Sequence, residues 1–158
     1  SIHVQEGDTV QSEQLLATLE AAQYVAPRER LLAVGDFNSG PTDEVIPVPP
    51  QLPAFLGVPP YQQLLGVGFT DAWTMRPGES TGQGAPLVGF SCCQDDDLGN
   101  HKSDLTSRID LVFSIPMPSK VKQARLLGES VSDKTPPKGH GLWPSDHASV
   151  ATELQFKE

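Results

Sequence analysis

Three short strings in this chain carry side chains suited to acid, base and metal chemistry. They are Gly35-Asp36-Phe37-Asn38, Arg108-Ile109-Asp110 and Ser145-Asp146-His147. Together they supply three acids, one amide and one imidazole. Hydrolysis of a phosphoester needs such a mixture, because charge on the phosphoryl oxygens must be neutralised, a water must be activated and the leaving oxygen must be stabilised. The strings therefore indicate metal-assisted hydrolysis of a phosphoester.

The elements expected around these strings are strands that end or begin at an acid. An apolar run at 31–34 predicts a central strand buried on both faces, which places Asp36 at its carboxyl end. Residues 109–115 are strongly β-prone, and 121–127 form a plausible partner strand. The alternation of apolar and polar residues over 148–156 is typical of a half-buried strand.

The remaining stretches are predicted from helical spacing and from proline. Leucines and alanines recur at helical spacing over 8–24, which predicts an amphipathic helix. Seven prolines within 41–60 exclude regular helix or central strand over most of that stretch. A short helix is expected at 61–65, and a second irregular stretch at 78–86. With 158 residues the chain is long enough for one domain, so it is expected to form a single unit.

The order and spacing of the three strings resemble the C-terminal half of the endonuclease/exonuclease/phosphatase superfamily. Its members include deoxyribonucleases, abasic-site endonucleases, sphingomyelinases and inositol-phosphate phosphatases. The resemblance covers nearly the whole chain and implies an α+β fold, the C-terminal half of a four-layer α/β/β/α sandwich with two mixed, mostly antiparallel sheets. It also implies that the N-terminal part of the domain, with a metal-binding glutamate, is missing or lies on a separate chain. A partner fragment is therefore expected.

The same resemblance implies roles for the two C-terminal strings. Asp146 corresponds to a metal ligand, and the implied cofactor is Mg²⁺, or Mn²⁺ or Ca²⁺ in its place. His147 corresponds to a histidine that contacts the scissile phosphate. Asp110 corresponds to the acid that hydrogen-bonds this imidazole, fixing its tautomer and stabilising its charged form.

Three further catalytic residues are implied nearer the N-terminus. Asp36 corresponds to the residue that orients the attacking water or takes its proton. Asn38 corresponds to an amide that donates to the phosphate or holds the aspartate in place. His3 stands where nuclease-like and sphingomyelinase-like members carry a histidine that donates to the phosphate or protonates the leaving oxygen.

Simpler interpretations of these residues stay open. Asp36 is also a normal turn residue after a strand, with Asn38 as its capping partner, and His147 taken alone suits a surface position. Asp110 is harder to explain in this way, because an ionised acid that begins a buried strand is costly unless it is paired. The alternative to an enzyme is a non-catalytic binding module, an inactive half-domain that retains the fold.

Net charge and hydropathy limit the kinds of substrate and partner that are expected. The formal net charge of −9 argues against a broad basic footprint for duplex DNA. The expected substrate is a phosphodiester, either nucleic acid or a phospholipid head group, and a small phosphomonoester ranks next. No apolar run approaches the roughly 18 residues that span a bilayer, so no transmembrane segment is predicted. The sequence leaves the localisation open.

Several other residues are interpreted as structural. The adjacent Cys92 and Cys93 have no histidine or cysteine at zinc-ligand spacing, and a buried thiol pair is expected in preference to a vicinal disulfide. Arg108 is expected to be solvated, with pairing to a carboxylate or to the substrate phosphate as the alternative. Asp71 is expected to bond the backbone or shape the site, with Phe69 and Trp73 in the core. The cluster Asp95-Asp96-Asp97 is expected to be a solvated acidic loop, since it lacks the spaced oxygen ligands of a calcium loop.

Overall fold

The computed structural model describes residues 29–77, 89–136 and 141–157. Within these ranges the chain forms five strands in two antiparallel sheets, one α-helix and three 3₁₀ turns, which confirms the α+β prediction. The helix predicted over 8–24 and the irregular stretch predicted at 78–86 lie outside the described residues. None of the described helices has the length and apolar character needed to cross a bilayer.

The first sheet brings two of the predicted acids to the same end. Its strands are β1 (Leu31–Asp36), β2 (Thr70–Asp71) and β3 (Asp110–Ile115), in the order β1-β3-β2. β1 and β3 are antiparallel, with Leu31 opposite Ile115 and Asp36 opposite Asp110. Because the last residue of one strand faces the first residue of the other, the two carboxylates lie at the same end of the sheet.

One face of β3 forms the main aromatic core. Phe113 is fully buried, and its ring centroid lies 5.4 Å from that of Phe37, 5.6 Å from that of Tyr61 and 6.2 Å from that of Phe69. Leu111 and Leu64 complete this cluster. Burial of each such side chain contributes about 1.5 to 3 kcal/mol, and edge-to-face ring contacts add about 0.5 to 1.5 kcal/mol. Phe37 directly follows Asp36, so this core fixes the position of the loop that carries the acid.

A short helix fastens the loop after β1 to the same core. Helix α1 (Pro60–Gly66) begins with proline, whose missing N–H costs nothing at that position. The Ser39 hydroxyl accepts a hydrogen bond from the Tyr61 N–H at 3.1 Å. Tyr61 and Leu64, one turn apart, face the core. The helix predicted at 61–65 is thereby confirmed, and the proline-rich stretch before it contains only a 3₁₀ turn, Ala54–Gly57.

The second sheet consists of β4 (Lys120–Leu127) and β5 (Ser149–Gln155), paired antiparallel. The expectation that 121–127 would pair with β3 is wrong. Both edges of β3 are already used, because Ser114 and Phe113 pair with β1 on one side and with β2 on the other. β4 therefore packs across the sheet, and its Val121 joins Val112 of β3 and Ala72 in a second buried cluster. Ala72 lies in the 3₁₀ turn Ala72–Met75, and a third such turn spans Val131–Asp133.

The prediction that 31–34 would be buried on both faces is also wrong. Leu32 and Val34 are 51% and 46% exposed, and within the described residues β1 pairs only with β3. An apolar run predicts a strand, but it does not determine what covers the second face. Here that face opens onto a groove of about 440 Å³ between the sheets. The groove is lined by Leu32, Val34, Val112, Val150, Thr152, Leu154 and Phe156.

Candidate active site

The central contact of the site joins β3 to the residue that precedes β5. Nδ1 of His147 lies 2.8 Å from Oδ2 of Asp110, and both side chains are partly buried, with 27% and 19% exposure. The Ser91 hydroxyl accepts hydrogen bonds from the N–H of Asp110 at 3.0 Å and of Ile109 at 3.3 Å. Ser91 therefore anchors the start of β3 from a segment 19 residues earlier. Sequence analysis did not assign Ser91 a role, because no local pattern links residues so far apart.

The segment around Cys92 holds His147 in place through the backbone. Cys92 forms antiparallel bridges with both Ser107 and His147. The N–H of Gln94 donates to the carbonyl of Asp146 at 2.8 Å, and the N–H of Ala148 donates to the carbonyl of Ser91 at 2.7 Å. These two bonds flank His147, so its backbone position is set by a ladder of main-chain bonds.

Asp146 faces solvent beside the imidazole. Its side chain is 60% exposed, and its Oδ2 lies 3.9 Å from Nε2 of His147. The Ser145 hydroxyl donates to Oδ1 of Asp146 at 3.1 Å and accepts from the N–H of His147 at 3.2 Å. Ser145 therefore shapes the turn so that the acid and the imidazole project to the same side.

Asp36 and Asn38 form a tight turn at the end of β1. The backbone N–H of Asn38, and not its amide group, donates to Oδ1 of Asp36 at 2.8 Å. Asn38 has a φ of 46°, a left-handed conformation that asparagine tolerates better than most residues. Its side chain is exposed. Two residues further on, a Cβ at Gly40 would lie 2.7 Å from the carbonyl oxygen of Arg108, so glycine allows this loop to press against the start of β3.

The charges around His147 favour its protonated form. Burial by itself lowers the pKa of the imidazole, but the hydrogen bond and charge of Asp110, together with the charges of Asp146 and Asp36, raise it above the ordinary value of 6.5. Three carboxylates from three separate strings thus act on one imidazole.

The structure brings together five of the six predicted site residues, while His3 lies outside the described residues.

The cysteine pair differs from the sequence-based prediction. Cys92 and Cys93 form a disulfide, with their Cα atoms 3.2 Å apart across a cis peptide bond. Cys92 is buried, but Cys93 is exposed, so the expectation of a buried thiol pair is wrong. The pair also lies beside His147, a neighbour that spacing rules along the sequence do not reveal.

Arg108 is buried, so the preferred interpretation that it is solvated is wrong and the alternative, pairing with a carboxylate, is confirmed. Nη2 of Arg108 lies 2.7 Å from Oδ2 of Asp71, and the side chains of Arg108 and Asp71 are only 3% and 1% exposed. The Tyr61 hydroxyl donates to the same carboxylate oxygen at 2.9 Å, and the N–H of Trp73 donates to Oδ1 of Asp71 at 3.0 Å. A buried guanidinium is tolerated here because a carboxylate compensates its charge. The ion pair supports the site from within the core, as expected for Asp71.

The acidic loop and the two aromatic residues are as expected. Asp95, Asp96 and Asp97 are exposed, and so is His101. Phe69 and Trp73 are buried.

The donor atoms fit a metal that takes few protein ligands. The exposed Asp146 offers carboxylate oxygens, which suit Mg²⁺, an ion that often uses one or two carboxylates and completes its coordination with water and substrate. Within the described residues, the one group of three histidine, cysteine or acidic ligands close enough to share an ion is Cys92, Cys93 and His147. A magnesium site in this part of the chain would therefore depend on Asp146 and on ligands from elsewhere.

Comparison with solved structures identifies the class of fold. The chain is similar to an endonuclease/exonuclease/phosphatase family protein from Leptotrichia buccalis, with 17% identity and a TM-score of 0.51 over 99% of this chain and 48% of that one. It is similar to a mannosyl-6-phosphatase from Bacteroides thetaiotaomicron, with 18% identity and a TM-score of 0.55 over 94% and 48% of the two chains. It is also similar to a 3′-phosphatase from Neisseria bound to a product DNA hairpin, with 22% identity and a TM-score of 0.57 over 91% and 52%.

The chain therefore has the fold of endonuclease/exonuclease/phosphatase proteins, as the resemblance predicted. It spans about half the length of the solved structures that it matches. No protein-family model and no curated protein matches the sequence.

Proposed function

We propose that this chain carries the C-terminal catalytic residues of a divalent-metal-dependent phosphoesterase. The observation that carries the proposal is the 2.8 Å contact between Asp110 and His147, with Asp146 beside the same imidazole and Asp36 at the facing strand end. A group of acidic and imidazole side chains at one end of a sheet is typical of a catalytic site.

His147 is the group that contacts the scissile phosphate. Asp110 accepts a hydrogen bond from Nδ1–H, which fixes the orientation of the ring and leaves Nε2 for the substrate. The raised pKa favours the imidazolium form, whose Nε2–H donates a hydrogen bond to a phosphoryl oxygen. This donor and its charge stabilise the negative charge that develops during hydrolysis.

Asp36 orients the attacking water or takes its proton. Its Oδ1 is occupied by the N–H of Asn38, which holds the carboxylate in one rotamer and leaves Oδ2 for a water molecule. We propose that the exposed amide of Asn38 donates to the phosphate, which it can do without adding charge. His3 retains its proposed role at the phosphate or the leaving oxygen.

Asp146 would hold the metal, with Mg²⁺ as the proposed ion and Mn²⁺ or Ca²⁺ as substitutes. When bound, such an ion neutralises charge on the phosphoryl oxygens. Asp146 is suited to this role because its carboxylate is exposed at the site and is not consumed by a buried ion pair.

The open face of β1 supports the proposal that the chain is half of a larger domain. Leu32 and Val34 line an apolar groove between the two sheets. Sheets with apolar inner faces are stable when those faces are covered. We propose that an N-terminal fragment of the same domain covers this groove, completes the four-layer sandwich and supplies the second metal ligand.

A phosphodiester is the preferred substrate class. One solved neighbour is a 3′-phosphatase bound to DNA, another is a 3′–5′ exonuclease from Neisseria meningitidis, and a third is a mannosyl-6-phosphatase. These names include two phosphatases and one exonuclease, so they support phosphoester hydrolysis in general. The preference for a diester rests on the resemblance of His3 to the nuclease-like and sphingomyelinase-like arrangement. The net charge of −9 favours substrates other than long duplex DNA.

Hydrolysis of bis-p-nitrophenyl phosphate tests the proposal. We expect turnover that requires Mg²⁺ or Mn²⁺, is abolished by a chelator and returns when the metal is restored. Intact mass spectrometry of native material tests in parallel for a second fragment. If material that contains the fragment shows no turnover with this diester or with p-nitrophenyl phosphate, the catalytic proposal is wrong and a binding module is the remaining function.

A further inference from the structure

Cys92, Cys93 and His147 form a compact group of potential soft-metal ligands. One ligand atom from each residue lies within 4.8 Å of the others. Two ligands on one tetrahedral Zn²⁺ are roughly 3.3 to 3.8 Å apart, because Zn–S and Zn–N bonds are about 2.3 Å and 2.0 Å long. The imidazole therefore needs to approach the sulfurs by only about 1 to 1.5 Å, whereas the two sulfurs, bonded to each other in the disulfide, must separate after reduction to surround one ion.

The group is held together by the backbone on both sides. The bridge between Cys92 and His147 places these residues opposite each other, and the bonds from Gln94 to Asp146 and from Ala148 to Ser91 flank the bridge. The His147 nitrogen that does not contact Asp110 is Nε2. A histidine whose Nδ1 is bonded to a carboxylate while Nε2 binds the ion is a common arrangement in zinc sites.

We infer that, once the disulfide is reduced, Cys92, Cys93 and His147 bind a thiolate-preferring divalent cation such as Zn²⁺. Two thiolates and one imidazole leave a fourth position for water, a coordination that zinc accepts readily. The exposure of Cys93 gives the ion a route to the site.

The change of redox state determines whether this site exists. A dithiol reductant transfers two electrons and two protons to the Cys92–Cys93 disulfide and becomes a disulfide itself. The two new thiols lose their protons when Zn²⁺ binds, because the thiolate is the ligand. In the oxidised protein the sulfur atoms are bonded to each other, so of these three residues only His147 remains as a strong zinc ligand.

Zinc bound in this way inhibits the enzyme, a consequence that rests on the proposed function. His147 is the proposed phosphate contact, and an ion on its Nε2 prevents that nitrogen from donating to substrate. The inhibitory site differs in chemistry from the Asp146 site, because thiolates select zinc whereas a lone carboxylate suits Mg²⁺. Zinc inhibition should therefore depend on the cysteine redox state even when Mg²⁺ is in excess.

Direct binding is measured first, since it does not depend on activity. The reduced and the oxidised chain are titrated with Co²⁺ to detect thiolate-to-metal charge-transfer absorption, and with Zn²⁺ by calorimetry. We expect the charge-transfer band in the reduced protein only, and Zn²⁺ affinity at least about 100-fold higher than in the oxidised protein, because two thiolate ligands are gained. Cys93→Ser removes one thiolate at an exposed position and should abolish most of this gain.

Inhibition is measured second, with each protein normalised to its own zinc-free rate in excess Mg²⁺. We expect low zinc concentrations to inhibit the reduced wild type and to leave the oxidised wild type and reduced Cys93→Ser much less affected. Equal zinc affinity in the reduced and oxidised proteins, or no charge-transfer band, would overturn the inference. If the band appears but material that contains the N-terminal fragment hydrolyses no phosphoester in either redox state, the metal site stands and the proposed function fails.

Discussion

Nδ1 of His147 lies 2.8 Å from Oδ2 of Asp110, although 37 residues separate them in sequence. The contact forms because β3 begins at Asp110 and the backbone around Cys92 pairs with both Ser107 and His147. The acid and the imidazole therefore meet at the end of the first sheet, where the neighbouring strand β1 ends at Asp36.

Replacing His147 by alanine should lower turnover by about 100-fold or more, the range found for groups that transfer or share a proton in the transition state. Steady-state kinetics with bis-p-nitrophenyl phosphate measures the loss. His101→Ala is the matched control, because His101 is an exposed histidine outside the three strings. Equal rates for the two variants would remove His147 from the mechanism.

Asp110 should act only through His147. The double variant Asp110→Asn/His147→Ala is then expected to be little slower than His147→Ala alone, because the acid has lost the group that it orients. Kinetics of wild type, the two single variants and the double variant form a double-mutant cycle that measures this coupling. Losses that multiply would show that Asp110 has a separate role at the substrate.

Asp146→Asn should weaken Mg²⁺ binding while having little effect on folding. Because the Asp146 side chain is 60% exposed, the substitution should leave the unfolding midpoint nearly unchanged. We expect the Mg²⁺ concentration for half-maximal activity to rise by about 10-fold or more, because a charged ligand is lost. Asp96→Asn makes the same charge change in the exposed acidic loop and should leave that concentration unaffected.

Arg108→Ala should destabilise the fold by about 3 to 5 kcal/mol, the typical cost of leaving one member of a buried ion pair without its partner. The affected partner is Asp71, which is fully buried. Urea unfolding measures the free energy of unfolding. The control is Lys122→Ala, which breaks the exposed 2.8 Å pair with Glu153 and should cost less than about 1 kcal/mol. Similar losses would mean that the buried pair has no special structural role.

Tyr61 should make the protein sensitive to alkali. Burial, followed by the charge of Asp71 and the hydrogen bond to it, raises the pKa of Tyr61 to about 12. The neutral phenol is therefore favoured in the folded state, and its stabilising contribution is fully present below about pH 10, the unfolded value. That contribution, about 2 to 3 kcal/mol, is lost as the pH rises towards 12.

Urea unfolding of wild type and Tyr61→Phe at several pH values isolates this effect, since other titrating groups are common to both proteins. The difference in their free energies of unfolding should decline from pH 10 to pH 12. A difference that is constant with pH would show that the Tyr61 hydroxyl titrates normally.

The sequence alone determined the strands and the acids at their ends. Apolar runs, alternation and glycine or proline turns are local signals, so they located β1, β3 and β5 to within one or two residues and placed Asp36 and Asp110 at strand boundaries. Strand positions and turns depend on neighbouring residues, which is why they can be predicted from the chain in one dimension. The fold was implied by the family resemblance that the order and spacing of the three strings carry.

Only the tertiary structure decided which distant residues meet. It paired β4 with β5 because both edges of β3 were occupied, and it buried Arg108 because Asp71 offered a compensating charge. It also placed the Cys92–Cys93 disulfide beside His147. Each result follows from competition among edges, charges and surfaces far apart in sequence, and local patterns carry no information about which partner prevails.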